Sequence, residues 1–185
     1  MITVHSRLEE IAAGWDVLAQ ECGAPPFERP GWFRLWSAAF GSGTPWVVVN
    51  RSNGETVAVL PLVRSRNGLR SATNEHTPRF GLLAKDESAA RELAAWVFER
   101  RPRSVTLEYV EPGHFGSREL EAAAASRGYR VLTTTYERSP FLVIDGTWED
   151  YERGLSGRVR RDLDRRLRRL EEMGPVRLDV SDGTS

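Results

Sequence analysis

Apolar side chains in the first forty residues recur every three or four positions, which is the spacing of a helix with one buried face. After a short alternating strand at Ile2–His5, the pattern predicts one helix over Arg7–Cys22 and a second over Pro30–Phe40. Pro30 is typical of a helix start, and the glycines after each segment are typical of helix ends. The apolar faces consist of Leu8, Ile11, Ala12, Trp15, Leu18 and Ala19 in the first helix, and Trp32, Phe33, Leu35, Trp36 and Phe40 in the second.

Two apolar segments in the middle of the chain have the composition of strands. Trp46–Asn50 and Thr56–Arg64 are separated by a short polar stretch that contains Asn53 and Gly54. Asn-Gly between two apolar runs favours the tight turn of a β-hairpin, because both residues tolerate a positive φ angle. The sequence therefore predicts an antiparallel pair of strands here.

The rest of the pattern alternates between strands and helices. Residues 68–84 look irregular and end in a strand near Phe80–Leu83. The elements predicted after it are helices at Ser88–Arg100 and Ser117–Arg127, and strands at Ser104–Val110, Arg130–Tyr136 and Phe141–Asp145. This order predicts an α/β fold, a mixed sheet flanked by helices. We expect its large apolar side chains to be buried in one core, namely Trp15, Trp32, Trp36, Leu60, Leu62, Trp96 and Leu107.

A charged helical region follows Gly146. Thr147 and Asp150 have the spacing of a capping box, and Ser156 can cap a fresh helix over Arg158–Met173. Gly174 and Pro175 then form a strong stop. These signals divide the chain into a first lobe at residues 1–146, a linker helix at 147–174 and the first strand of an incomplete second lobe at 175–185.

The linker helix carries its charges in the reverse of the favourable order. Its apolar positions, Val159, Leu163, Leu167 and Leu170, form one stripe. Arg158, Arg160 and Arg161 occupy the first turn, whereas acidic residues occupy the last, against the helix dipole. Two interpretations of these three arginines stay open: an anion-binding site at the helix start, or a solvated charged face. For residues 165–169 we favour the solvated face, because Asp162 and Asp164 lie one turn earlier.

Composition narrows the function classes. The formal net charge is zero, and no aromatic residues alternate with the arginines, so nucleic acid is not an expected partner. Cys22 is the single cysteine, which excludes an intramolecular disulfide and a cysteine-based zinc site. No segment has the length of apolar sequence that a membrane span requires, and the residues after Met1 do not resemble a leader peptide. We therefore expect a cytoplasmic protein.

Polar residues between Thr73 and Phe80 form the best candidate site in the first lobe. His76 is a candidate general base, although a catalytic role competes with a loop in which side-chain hydrogen bonds are purely structural. Asn74 and Arg79 are candidate binding residues, Arg79 for an anion. His5 and His114 are expected at the surface, as are Glu108 and Glu111. Three scattered histidines give no metal-binding motif.

Four segments together resemble a family of acyltransferases. These are Pro26-Phe27 with Pro30-Gly31-Trp32-Phe33 and Trp36, the strand Val57–Leu62, the stretch Thr73–Leu83, and Ser139-Pro140 through Trp148, Tyr151, Leu155-Ser156 and the arginine helix to Gly174. In order and spacing they resemble the CelD-type branch of the GNAT superfamily, which is related to the two-lobed Fem peptidyltransferases. The matched region is the first lobe and the linker helix.

The resemblance implies a GNAT-like sheet and transfer of an acyl group to an amine or hydroxyl of a sugar, peptide or envelope polysaccharide. It implies acetyl-CoA as the donor and a second lobe of the same protein as a partner. In such enzymes, the turn that binds the acetyl-CoA donor contacts its pyrophosphate with backbone N–H groups at a helix start. The nearest match to that turn here is Arg51–Thr56, which we predict to be a hairpin turn. The alternative is a non-catalytic docking module that works through its arginine-rich helix.

Overall fold

One mixed sheet of six strands organises the first part of the chain. The computed structural model describes residues 1–41, 43–135, 143 and 145–177, which fall into two compact units, Met1–Tyr136 and Glu137–Ser185. The strands are β1 (Ile2–His5), β2 (Thr44–Ser52), β3 (Glu55–Ser65), β4 (Gly68–Ser71), β5 (Leu83–Ala84) and β6 (Val105–Thr106). The helices of this unit are α1 (Ala12–Glu21), α2 (Pro30–Phe40), α3 (Glu87–Glu99) and α4 (Phe115–Ser126). The protein has the predicted α/β fold.

The sheet is antiparallel except at one pair of strands. Its order is β1-β2-β3-β4-β6, and β5 pairs with β3. β4 and β6 are parallel and share only two residue pairs. A parallel pair needs a crossover connection, and here the connection from β4 to β6 includes β5 and α3.

The predicted hairpin is confirmed. β2 and β3 pair in antiparallel register from Thr44 to Ser52, with one irregularity between Asn50 and Arg51. Asn53 and Gly54 have φ angles of 51° and 86°, the left-handed values that a tight two-residue hairpin turn requires. The Asn-Gly signal therefore identified both the pairing and the turn.

The core consists of two clusters of buried residues, one on each face of the sheet. The prediction of one core was therefore wrong. Alternate residues of β2 and β3 point to opposite faces of the sheet, and both faces are covered. Leu60, Leu62 and Val48 pack with the buried residues of α3 and α4, whereas Val47 and Val49 pack with those of α1 and α2, including Trp15 and Trp36. Trp32, Trp96 and Leu107 are only partly buried. Continuous apolar runs are typical of strands that are buried on both faces.

Three predicted strands differ from the structure. The predicted strand near Phe80–Leu83 is reduced to a bridge at Phe80 and to β5, and Gly68–Ser71, predicted as irregular, forms β4. Residues 130–135 of the predicted strand Arg130–Tyr136 form no strand, and all six are exposed. Their β-branched side chains favour a strand only where a neighbouring strand offers an edge to pair with. The predicted strand Ser104–Val110 is reduced to β6 and a single bridge between Phe80 and Val110. The predicted strand Phe141–Asp145 lies mostly outside the described residues.

The second unit contains two helices among its described residues. α5 (Trp148–Gly154) begins with the predicted capping box of Thr147 and Asp150. α6 (Gly157–Met173) is capped by Ser156, whose Oγ accepts a hydrogen bond from the backbone N–H of Val159. The helix ends at Gly174, as the sequence predicts.

Candidate functional site

The candidate site lies in a loop that leaves the carboxyl end of β4. In open α/β sheets, ligands bind beyond the carboxyl ends of parallel strands. The β4–β6 ladder stops after Arg70 and Thr106, and beyond it the backbone N–H of Glu108 donates instead to Ser71 Oγ at 3.0 Å. The side chain of Ser71 therefore ends the strand pairing at the point where the loop, residues 72–82, begins.

Buried hydroxyl groups hold this loop against the sheet and α2. Ser71 Oγ and Thr73 Oγ1 are 2.7 Å apart and both residues are buried. Thr77 is 1% exposed, and its Oγ1 accepts a hydrogen bond of 3.3 Å from Trp32 Nε1 on α2. Because buried polar groups cost free energy unless they are paired, these bonds fix the path of the loop.

Asn74 and His76 form a tight turn within the loop. Asn74 Oδ1 accepts from the backbone N–H of His76 at 3.1 Å, and its carbonyl oxygen accepts from Thr77 N–H at 2.8 Å. The His76 ring packs beside Phe40 at 5.4 Å between centroids, and its Nε2 lies 3.8 Å from Glu75 Oε1. The imidazole is 59% exposed, so it is accessible to a ligand while its backbone is held in place.

Arg79 lies between two carboxylates. Its Nε donates to Glu28 Oε1 at 2.8 Å, and one of its terminal nitrogens lies 3.0 Å from Glu111 Oε2. Glu28 is only 11% exposed, whereas Glu111 is half exposed. A planar guanidinium suits two carboxylates well. If Arg79 binds an anion, as the sequence predicts, that anion must compete with both of these carboxylates.

Glu28 is held from both sides. Its carbonyl oxygen accepts a hydrogen bond of 2.8 Å from Trp15 Nε1 on α1, and its carboxylate binds Arg79. The short 3-10 turn Pro26–Glu28 that presents it precedes α2. We refer to Asn74, His76, Thr77, Arg79 and Glu28 together as the loop cluster.

The loop cluster contains a residue that the sequence did not single out. Glu28 is such a residue, and Glu111, which we expected at the surface without a partner, pairs with Arg79 beside the cluster. The structure joins two of the four segments on which the family resemblance rests, since Pro26–Trp36 contacts Thr73–Leu83 through Glu28–Arg79 and Trp32–Thr77. That resemblance was the one signal in the sequence that linked these distant segments.

The three candidate arginines at the start of α6 differ in their ion pairs from the arginines later in the same helix. Arg165 and Arg166 pair with Asp162, as expected for a solvated face. No carboxylate pairs with Arg158, Arg160 or Arg161 among residues 145–177. A methyl group added at Gly157 would lie 3.4 Å from a terminal nitrogen of Arg161, so this guanidinium folds over the first turn. These arginines belong to the second unit.

Two kinds of chemistry find no support in the described part of the chain. No group of three or more His, Cys, Asp or Glu side chains there could hold a metal ion. Desolvation of its Sγ atom, together with the charges of Glu21 and Glu28, raises the pKa of the Cys22 thiol above its ordinary value. A raised pKa leaves less thiolate at neutral pH, which disfavours Cys22 as a nucleophile.

Comparisons with known proteins give little information about identity. Models of known protein families do not match the sequence, and a search of curated proteins found no match. One solved structure, TTHA1254 from Thermus thermophilus in a point-mutant form, is 15% identical and covers 76% of this chain and 98% of its own. Its TM-score of 0.43 does not establish a shared fold.

Among the described helices, none has the length and apolar character to cross a membrane.

Proposed function

We propose that this chain is part of an acyltransferase that moves an acyl group to an amine or hydroxyl of a sugar, peptide or envelope-polysaccharide acceptor. The observation that carries the proposal is the position of the loop cluster. It lies beyond the carboxyl end of β4 in a parallel pair, and it joins two segments of the family resemblance. The proposal places the protein in the cytoplasm, as the sequence predicts.

His76 is the residue that we assign as general base. Acyl transfer to an amine or hydroxyl requires a group that takes the acceptor's proton while the nucleophile attacks the carbonyl carbon. His76 offers an exposed imidazole whose backbone is fixed by Asn74 and whose ring packs beside Phe40. Arg79 and Glu28 hold the other end of the loop to the turn that precedes α2.

A donor such as acetyl-CoA needs a place for its pyrophosphate. Arg51–Thr56 forms the β2–β3 turn and does not begin a helix. The start of α3 does not fit, because the carboxylates of Asp86 and Glu87 place two negative charges there. The start of α6 fits better, since its first turn carries Arg158 and Arg160 and no acidic residue, and Arg161 follows directly. We assign these three arginines to the donor's phosphates.

The arginine assignment gives the first prediction. Replacing Arg158, Arg160 and Arg161 together by Gln should weaken acetyl-CoA binding at least about tenfold, since charge-assisted hydrogen bonds to the phosphates are lost. The matched control is the replacement of Arg165, Arg166 and Arg168 by Gln, which removes the same charge from the same helix. Isothermal titration at fixed ionic strength measures both affinities. Equal weakening in the two variants would show that only the net charge of α6 matters.

The base assignment gives the second prediction. His76→Ala should lower the rate of acyl transfer about 100-fold or more, the usual contribution of a general base. Thiol release from acetyl-CoA, with glucosamine and a lysine-containing peptide as trial acceptors, measures this rate. His5→Ala is the control, because His5 lies on β1, at the opposite edge of the sheet from β6, and pairs with Glu10. A rate that His76→Ala leaves unchanged would remove His76 from the mechanism.

A second candidate function is docking through α6 without catalysis. The apolar stripe of this helix is open, with Val159, Leu163, Leu167 and Leu170 between 43% and 51% exposed. Residues 157–173 also carry seven arginines against four carboxylates, a formal charge of +3. This surface suits an acidic or phosphate-bearing partner with an apolar strip. If the protein binds acetyl-CoA no more tightly than it binds ATP, the result favours docking over acyl transfer.

A further inference from the structure

Two arginines lie on the faces of two tryptophans at one end of the first unit. The guanidinium carbon of Arg64 is 5.6 Å from the Trp46 ring centroid, and that of Arg100 is 3.0 Å from the Trp96 centroid. The two indole rings are 6.3 Å apart. We call these four side chains the Arg–Trp stack. Contact with an indole face orients a guanidinium without neutralising its charge.

An open pocket of about 510 Å³ lies against the Arg–Trp stack. Trp46, Arg64 and Arg100 line it. The rest of its lining consists of two hydroxyl residues, Ser6 and Thr44, and two apolar residues, Val4 and Pro45. Among the described residues, no carboxylate lines the pocket. It therefore combines two cations, two hydroxyl groups and an apolar wall, which is the composition of a site for an anionic small molecule.

The two arginines have no carboxylate partner within the described part of the chain. Among the ion pairs of the described residues, none includes Arg64 or Arg100, and Arg100 donates one hydrogen bond of 3.0 Å to the carbonyl oxygen of Trp96. Glu99, the carboxylate next to Arg100 in sequence, pairs with Arg127 at 2.6 Å. Residues 56–74 and 100–107 contain no acidic residue. An anion that enters the pocket would therefore meet no like charge from these segments.

The fold holds these two segments side by side. Ser104 Oγ donates to the carbonyl oxygen of Asn67 at 2.7 Å, and the Ser104 carbonyl oxygen accepts from Leu69 N–H at 2.9 Å. The β3–β4 turn is thereby fastened to the connection between α3 and β6. Arg66, Arg101 and Arg103 are exposed in the same two segments and add to the positive potential around the pocket.

We propose that this pocket binds a small molecule that carries a phosphate or carboxylate group on an apolar or aromatic body. Arg64 and Arg100 would hold the anionic group by charge-assisted hydrogen bonds, with Ser6 and Thr44 as further donors. Val4, Pro45 and the edge of Trp46 would contact the apolar body. The site is distinct from the loop cluster, since it lies where β4 begins, at Gly68, and the loop cluster follows the other end of β4, at Ser71.

Phenyl phosphate is the probe that tests this proposal with the full 185-residue chain. The indole N–H resonances of Trp46 and Trp96, assigned with the variants Trp46→Phe and Trp96→Phe, should shift and saturate on titration, while that of the buried Trp15 should stay in place. Inorganic phosphate should bind more weakly, because it lacks the ring, and phenol should not bind, because it lacks the charge. The double variant Arg64→Gln, Arg100→Gln should weaken phenyl phosphate binding at least about tenfold.

The control is a double variant with the same loss of charge on another surface. Arg91 and Arg118 pair with Glu119 and Glu87 on the exposed face of α3 and α4. Arg91→Gln with Arg118→Gln should leave the affinity for phenyl phosphate within about twofold, since exposed charges at a distance are screened. The proposal is overturned if both double variants lose affinity equally, if phenol binds as well as phenyl phosphate, or if neither indole resonance shifts up to about 10 mM ligand.

Discussion

Replacing Trp15 by alanine should lower the free energy of unfolding by about 3–5 kcal/mol, the usual cost of removing a buried aromatic side chain. Trp15 is 1% exposed and packs against Phe33, with 5.8 Å between the ring centroids. Its Nε1 also donates to the carbonyl oxygen of Glu28. The variant therefore loses apolar contact, leaves a cavity between α1 and α2, and leaves a carbonyl group without its partner.

The same replacement should reach the loop cluster through Glu28. Its carboxylate binds Arg79, so a displaced Pro26–Glu28 turn would loosen the anchor of residues 72–82. Trp15→Phe reduces the packing loss, because it keeps most of the ring volume, and it removes the hydrogen bond, which contributes about 0.5–1.5 kcal/mol. Urea unfolding measures both variants. A loss below about 1 kcal/mol for Trp15→Ala would mean that the α1–α2 core relaxes around the cavity.

Local signals in the sequence were sufficient for several elements. Asn53-Gly54 identified the β2–β3 hairpin, because a positive φ at two successive residues is a demand that few dipeptides meet. Pro30 and Gly41 gave both ends of α2 correctly. The capping residues Thr147 and Ser156 likewise gave the starts of α5 and α6. In each case one or two residues determine the backbone conformation at that position.

The two-cluster core could not be predicted from the individual strands and helices. Val47–Val49 and Ala58–Val63 are continuous apolar runs, which indicates burial on both faces, but the helices that cover each face come from distant parts of the chain. Arg130–Thr135 shows the converse, since a segment of strand-like composition found no edge to pair with among the described residues. Strand propensity depends on a partner, and composition does not identify one.

The candidate sites were predictable only in part, for the same reason. Asn74, His76 and Arg79 were identified because they are close in sequence and lie in an irregular segment. Their partners were not, since Glu28 and Arg79 are 51 residues apart. The Arg–Trp stack has a similar origin. Its members come from β2, β3 and the end of α3, and no local pattern connects them.

Gly68, at the β3–β4 turn near the Arg–Trp stack, should be costly to replace. Gly68 has a φ angle of 141°, and a Cβ atom there would overlap the carbonyl oxygen and Oγ of Ser104. Gly68→Ala should therefore lower the free energy of unfolding by about 2–5 kcal/mol, since backbone strain and steric overlap both act against the native turn. The overlap can be relieved only if the β4 segment moves away from the residues before β6, which would break the Leu69–Ser104 hydrogen bond.

Gly54→Ala is the matched control, because it isolates strain from overlap. Gly54 has a φ angle of 86°, and nothing lies within 4 Å of the added methyl group. It should cost only about 1–2 kcal/mol, the usual penalty for a left-handed alanine. Urea unfolding of the two variants gives the difference directly, and phenyl phosphate titration of Gly68→Ala should also show weaker binding than Gly54→Ala. If the two variants are equally destabilised, Ser104 moves away from the added methyl group at little cost. The contact between the β3–β4 turn and the α3–β6 connection would then not be what holds Arg64 beside Arg100.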